Sequence, residues 1–579
     1  MKRNHLVYIF TIAAFALLLL FNGCEMDKEE VQVDWKTSTY ESMTFEQKVG
    51  QMFCLTVDPI RYFFYPQYKK SINTLVSKYS PGALYLSTEL DSVKKEIRLE
   101  FNGHKLHEEI VDLQRQSTIP LLVGADFNSG AWSWDNKATR FNYPLALSAI
   151  GSGEYSFRQG KITAVEANAQ GINWLQMPNS SINSGMSNIM LLLDSLGDDP
   201  VLVSDLSTQI IRGIQEARTA ATTKYYPNPA LNSLLSYDPA LMSPEQTTIF
   251  QSAVNSKVAT ILTAPVDPET APDSANEAWQ SSLSYLIDTL GYQGIVTTEF
   301  RSDLSVDNAG DELGLMKVGI DAGTVLFILP EVFGTEIPII DLLISDVVSS
   351  RYETTRIDAA VKTIIEEKFD IGLNLPKVKQ SIMYMSGLGL PEYFQNSRDI
   401  ASEALTVLKN DDDIMPIDTE NSKVVSFTFL DDASFSFSTI FRDKLRERAD
   451  TISHIDIFGP PDMRIRRELI RRAEFADVVL LSFFYKPIDD NGTVFPKELS
   501  EALKEISKAN KNVIVTSYFD PTLINILPAH KAYIIPFSPS EFSMEAALDL
   551  VLGENDAHGK LPFHMSEEFP LGFGLSVNR

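Results

Sequence analysis

The chain has 579 residues, 44% of them hydrophobic and 22% charged, with glycine and proline at ordinary levels. That composition excludes a disordered or fibrous chain and suffices for two or more domains with cores of their own. The net charge of −27 disfavours nucleic acid and anionic lipid surfaces as partners.

Lys2 and Arg3 precede an apolar run over 6–21, followed by Asn22, Gly23 and Cys24. A basic start, an apolar stretch and a small residue before cysteine predict a lipoprotein signal peptide over 1–23, with Cys24 as the lipidated residue. The alternative is an uncleaved anchor, whose span would sit at the short limit. Residues 24–40, rich in Glu and Asp at their start, read as an acidic tether. The expected location is therefore the cell envelope, at the outer membrane or cell surface, with the membrane engaged through the lipid. The second cysteine, Cys54, lies in an apolar run and reads as core packing. With Cys24 lipidated, no disulfide within the chain and no cysteine metal site is expected.

From residue 41 onward, strand-like and helix-like patterns alternate. Strands are expected at 51–57, 83–87, 120–126, 173–177, 221–226, 259–265, 294–299 and 324–329, each short and apolar or β-branched. Helical periodicity fills the gaps, as at 156–170, 200–217 and 244–257. Eight βα units over 41–376 predict a (β/α)8 barrel, closed by a helix at 357–373. A Pro- and Gly-bearing linker at 377–398 leads to a second α/β block at 399–579. Its strands are expected at 424–429, 478–484, 513–517 and 532–535, which predicts an α/β sandwich domain.

The run Gly294-Ile295-Val296-Thr297-Thr298-Glu299 ends in a carboxylate. An acid at the C-terminal end of a barrel strand is where such barrels present catalytic groups. Asp303 is a second candidate in the following loop. Each also reads as an exposed loop acid without a catalytic role. The basic run 464–472 is interleaved with Glu468 and reads as a solvated helix face. The acidic clusters at 411–413 and 489–490 lack the spacing of a calcium loop and read as turns. Neither a metal nor a cofactor is expected.

Several motifs together carry a resemblance. They are Thr44-Phe45-Glu46-Gln47-Lys48-Val49-Gly50-Gln51, Ile119-Pro120-Leu121-Leu122-Val123-Gly124-Ala125-Asp126, Ser195-Leu196-Gly197-Asp198-Asp199-Pro200, Ala404-Leu405-Thr406-Val407-Leu408-Lys409-Asn410, Gly559–Pro562 and Pro570–Leu575. In this order the chain resembles glycoside hydrolase family 3, and most of all its Bacteroidetes-type lipoproteins resembling β-N-acetylhexosaminidases. The resemblance implies a retaining reaction on a terminal β-linked sugar, with nucleophile and acid about 5–5.5 Å apart. It puts the nucleophile position at Glu299, where the family has aspartate. It puts sugar-binding positions at Asp126, Asn128, Trp134, Lys224 and Tyr225.

This chain departs from the family's pattern at several of those places. Tyr225 stands for the histidine after the sugar-binding lysine, and Asn228-Pro229 replaces the Gly-His that follows. No histidine occurs between His107 and His454, so a histidine acid is missing from that loop. The remaining acid candidates are Asp238 and a glutamate from the second domain, neither with a motif behind it. Asn128 replaces an acid, Trp134 and Asp194 replace arginines, and Ser181 replaces an aspartate. Trp132, Trp134, Tyr225 and Tyr226 leave aromatic faces that either stack on sugars or fill the pocket. The expected function is saccharide-directed, hydrolysis of terminal β-linked sugars with catalysis weakened or lost. The alternatives are a non-catalytic glycan-binding protein and a partner-binding lipoprotein with a filled pocket.

Overall fold

A computed structural model describes residues 35–87, 102–182, 188–227, 242–267, 275–301, 309–375, 387–431, 435–486 and 493–578. The signal peptide, Cys24 and the start of the tether lie outside these residues, as do Asp303, Asp238 and Asn228-Pro229. Among the described residues, no helix is long and apolar enough to cross a membrane.

Eight parallel strands close into a barrel in sequence order. They are β1 (Phe53–Val57), β2 (Ala83–Leu86), β3 (Leu122–Ala125), β4 (Trp174–Leu175), β5 (Ala220–Tyr226), β6 (Thr260–Thr263), β7 (Ile295–Glu299) and β8 (Leu326–Glu331). β8 pairs with β1 at Phe53↔Phe327 and so completes the ring.

Strand alternation sends every second residue inward. Cys54, Ala83, Leu122, Trp174, Ala220, Ile295, Leu326 and Ile328 form one buried cluster inside the barrel. Trp174 fills the middle, and its indole N–H donates to Thr222 and Thr260 at 2.8 and 3.1 Å. Its ring takes the space a side chain on Gly124 would need, since a Cβ there would meet it at 2.5 Å. The barrel interior is therefore packed, and at its C-terminal mouth the inward rows run out into strand-end carboxylates.

The second domain holds a six-stranded sheet in the order β11-β10-β12-β13-β14-β9. Its strands are β9 (Thr406–Asn410), β10 (Val424–Leu430), β11 (Ser453–Phe458), β12 (Val478–Phe484), β13 (Val513–Ser517) and β14 (Ala532–Ile535). All pairs are parallel except β9 with β14. A helix at Pro391–Glu403 begins inside the interval expected as linker.

Two of the sequence motifs meet where the domains pack. Gly197 sits at φ +87, and a Cβ there would lie 2.1 Å from the Pro562 carbonyl oxygen. The next amide, Asp198 N–H, donates to that same oxygen at 3.0 Å, and the Asp198 carboxylate accepts from the His564 N–H at 3.1 Å. The close approach requires glycine, which gives the 195–200 turn a structural reason.

Candidate active site at the barrel mouth

Continuing each inward row to the C-terminal rim gives the floor of the mouth. From Ala83 the row reaches Tyr85, from Leu122 it reaches Asp126, from Ala220 it reaches Lys224, and from Ile295 it reaches Glu299. The electrostatics agree with this placement, because Tyr85 feels the charges of Asp126, Lys224, Tyr225 and Glu299. Four of the residues expected from the sequence (Asp126, Lys224, Tyr225 and Glu299) thus share one site.

Lys224 is buried, with 3% of its side chain exposed, and forms an ion pair with Asp126. Burial works against its charge, but Asp126 and Tyr225 outweigh burial and hold the ammonium above the ordinary lysine range. The pairing of β5 with β6 shifts register between Lys224 and Tyr226. Such a bulge re-aims a side chain, and here Tyr225 turns toward the barrel interior instead of outward. Its ring centroid lies 5.6 Å from the Lys224 ammonium. Lys224 pulls the Tyr225 phenol down, while burial with Asp126, Glu299 and Asp194 outweighs it and leaves the phenol raised.

Ser181 supports this corner. Its hydroxyl accepts from the Tyr225 N–H at 3.0 Å and donates to the Lys224 carbonyl at 3.2 Å. The serine standing in place of an acid is therefore a backbone clamp on β5.

Glu299 has 41% of its side chain exposed, and its carboxylate accepts from the Arg301 guanidinium at 3.1 Å. The strand end itself is pinned, since Val266 N–H donates to the Glu299 carbonyl and Arg301 N–H donates to the Val266 carbonyl.

Two residues of the mouth, Lys486 and Gln176, were not singled out from the sequence, and a third, Asp194, was expected only as the residue standing where the family has an arginine. Asp194 ends the helix Ile189–Asp194, and burial together with the Asp126 charge pushes its carboxyl up to about 7, against the pull of Lys224 and Lys486. Lys486 follows β12, so the second domain contributes a charge to the mouth. Gln176 lies beside Asp126, because the β3–β4 register of Gly124↔Trp174 and Ala125↔Leu175 continues to that pair. The inward alternation of β4 would have found Gln176. Nothing in the sequence pairs Lys486 with Asp194, which come from different domains.

The mouth contains unmet hydrogen-bonding capacity. Asp126 Oδ1, Asn128 Oδ1 and Gln176 Nε2 are buried atoms without a protein partner. Buried polar atoms are almost always paired, so Asp126 and Gln176, side by side at the strand ends, mark a place where a donor and an acceptor are wanted. The Asn128 main-chain carbonyl accepts from Gln159 Nε2 of the helix Gly153–Ala169 at 3.2 Å. No group of three or more His, Cys, Asp or Glu residues with metal-binding geometry occurs among the described residues.

Three aromatic residues expected near the mouth lie elsewhere or are covered. Trp134 is 3% exposed and belongs to the main hydrophobic core. It follows the short turn Ala131–Ser133, which swings its ring inward. Tyr226 is fully buried, with its hydroxyl donating to the Ser282 carbonyl at 2.9 Å. Trp132 is half-buried under the Arg140 guanidinium, 4.1 Å from its ring, which also reaches Phe437 of the second domain at 5.3 Å. Burial of large rings outweighs any gain from leaving them at the rim.

Comparison with known proteins places this geometry. A Cellulomonas fimi protein named beta-N-acetylglucosaminidase/beta-glucosidase is 23% identical over 414 residues, covering 67% of this chain and 68% of that protein. The solved structure of a glycoside hydrolase family 3 beta-N-acetylglucosaminidase from Paenibacillus superposes with a TM-score of 0.73 at 20% identity, covering 91% of this chain and 99% of that one. The beta-glucosidase of Listeria innocua gives 0.74 at 16% identity, covering 94% and 83%. The profile of the glycosyl hydrolase family 3 N terminal domain matches residues 44–366, which takes in the whole barrel. With that match over more than half its length, the chain belongs to glycosyl hydrolase family 3.

Proposed function

We propose that this chain is a saccharide-directed lipoprotein of the cell envelope, binding a terminal β-linked sugar at the barrel mouth with hydrolysis weakened or lost. The observation that carries the binding half is the pair of unpaired buried atoms at Asp126 and Gln176 beside the Lys224 ion pair. A sugar's vicinal hydroxyls donate and accept together, which is what that set calls for. N-acetylhexosaminides are the favoured class, since relatives named as N-acetylglucosaminidases recur among both sequences and structures.

The weakened half rests on the other side of the mouth. Glu299 carries one methylene more than aspartate, and it is engaged by Arg301. A displacement of about 1 Å at a reacting atom can cost on the order of 100-fold in rate. The second acid candidate, Asp303, lies outside the described residues. The N-terminal sequence supports export and lipidation at Cys24.

The test uses the chain from Glu25 onward with aryl β-N-acetylglucosaminide, β-glucoside and β-xyloside, beside Glu299→Gln. Calorimetry with N-acetylglucosamine, glucose and xylose runs in parallel. Saturable sugar binding with turnover near background supports the proposal. Turnover at rates ordinary for glycosidases, abolished in Glu299→Gln, replaces it with a working hydrolase. Absence of both binding and turnover rejects the saccharide reading.

A further inference from the structure

The mouth holds a carboxyl that the pairing of Asp126 with Lys224 does not use. Asp194 ends the helix Ile189–Asp194, and the next residue, Ser195, bridges to Asn179, which also bridges to Lys224. Asn179 thus stands between the end of that helix and β5. The Asp194 side chain is half-buried, and among the described residues its carboxyl has no hydrogen-bond or ion-pair partner.

The surroundings of Asp194 decide its charge. Asp126 at the end of β3, Lys224 on β5 and Lys486 beyond β12 act on it, and Tyr225 in turn feels the Asp194 charge. The helix Leu145–Ile150, packed against its own helix, brings no titratable side chain. Asp198, four residues on, is turned to the His564 amide. Lys224 is already paired with Asp126. Burial and Asp126 therefore outweigh the two ammonium groups, and the carboxyl is pushed up to about 7.

A neutral carboxyl donates a hydrogen bond, where a carboxylate only accepts. Asp126 Oδ1 and Gln176 Nε2 offer a sugar's hydroxyls one acceptor and one donor. A half-buried O–H without a protein acceptor calls for an acceptor on the ligand. An amide carbonyl is the strong acceptor that an N-acetylated sugar carries in addition to its hydroxyls.

We propose that Asp194 is a specificity-determining residue, donating a hydrogen bond to the acetamido carbonyl of the sugar in the mouth. The class selected is an N-acetylated amino sugar over its plain hydroxyl counterpart. Selection is present in acid and is lost once Asp194 ionises, because a carboxylate repels a carbonyl oxygen. Lys224 and Tyr225 are held above their ordinary ranges and keep their protons through that change. This inference rests on the reading of the mouth as a saccharide site and assigns the residue that reads the acetamido group.

The test is calorimetry with N-acetylglucosamine, glucosamine and glucose at pH 5 and pH 8, using the chain from Glu25 onward. Glucose is the internal reference, since titrations elsewhere in the chain act on every sugar alike. At pH 5, N-acetylglucosamine is expected to bind about tenfold more tightly than glucose, and most of that advantage should vanish at pH 8. At pH 8, binding of N-acetylglucosamine should take up protons, read in buffers of different ionisation enthalpy, and binding of glucose should not. Asp194→Asn keeps a donor that does not titrate, so the advantage should persist at both pH values. Asp194→Leu should lose it at both and still bind glucose. An advantage that does not change with pH, or whose pH dependence survives Asp194→Asn, overturns the role of Asp194. Glucosamine binding more tightly than N-acetylglucosamine, or N-acetylglucosamine and glucose binding equally throughout, also overturns it and leaves the mouth reading intact. Failure of every sugar to bind overturns both.

Discussion

Lys224 and Asp126 join β5 to β3 across the mouth as a buried ion pair, and removing either partner strands the other. Breaking a buried pair from one side typically costs about 3–5 kcal/mol. Asp126→Ala is expected to lower unfolding free energy by about 3 kcal/mol in urea titration. The double variant Asp126→Asn, Lys224→Met should recover much of that loss. A double variant destabilised by the sum of the losses of its two single changes would show that the pair contributes no coupling.

Asp194 supplies a pH dependence of definite sign. Its carboxyl is pushed up to about 7 by burial and by the Asp126 charge, above the usual value of about 3.9 in an unfolded chain. A raised folded value means the contribution is fully present below about pH 4 and is lost as pH climbs through 7. Asp194→Asn should therefore match the parent at pH 4 and exceed it at pH 8, by up to about 4 kcal/mol. Melting curves at the two pH values check this, and an advantage confined to acid pH would contradict it.

Ser181→Ala tests the clamp on β5. The change leaves the Tyr225 N–H without the hydroxyl it donates to, in a buried setting. The cost of such an orphaned group is about 1–3 kcal/mol. Sugar affinity should fall along with stability, because Tyr225 and Lys224 flank that peptide. Denaturation and calorimetry on the same preparation separate the two effects.

Gly197→Ala tests the contact between domains. A methyl group cannot fit 2.1 Å from the Pro562 oxygen, and φ +87 disfavours any side chain. The expected loss is about 2 kcal/mol or more, read as a lower melting temperature. Gly151→Ala, at φ +69 with nothing within 4 Å of the new atom, carries only the backbone cost. Equal losses for the two would remove the packing argument.

Much of the barrel was legible because its strands are buried on both faces and read as short apolar runs. The second sheet was less so. β11 carries Ser453, His454 and Asp456 on an edge with one partner strand, so its apolar signal is diluted. β9 was recognised as a motif but not as a strand, and it joins the sheet antiparallel at the far edge. In the mouth, Asp126 and Glu299 could be placed because each stands at a strand end, and Lys224 because of the motif it shares with the family. Trp134 could not, because its direction depends on a short turn with no periodicity. Lys486 and Asp194 could not be paired because their proximity exists only once the domains have packed.

The inward rows that gather Tyr85, Asp126, Lys224 and Glu299 have a consequence for how this protein can vary. All four hang from one hydrogen-bonded ladder, so their spacing is set by strand register and is insensitive to the loops above. Residues beyond the strand ends can be exchanged without disturbing that floor. The floor of the mouth and its edge are therefore separately variable parts of the same barrel.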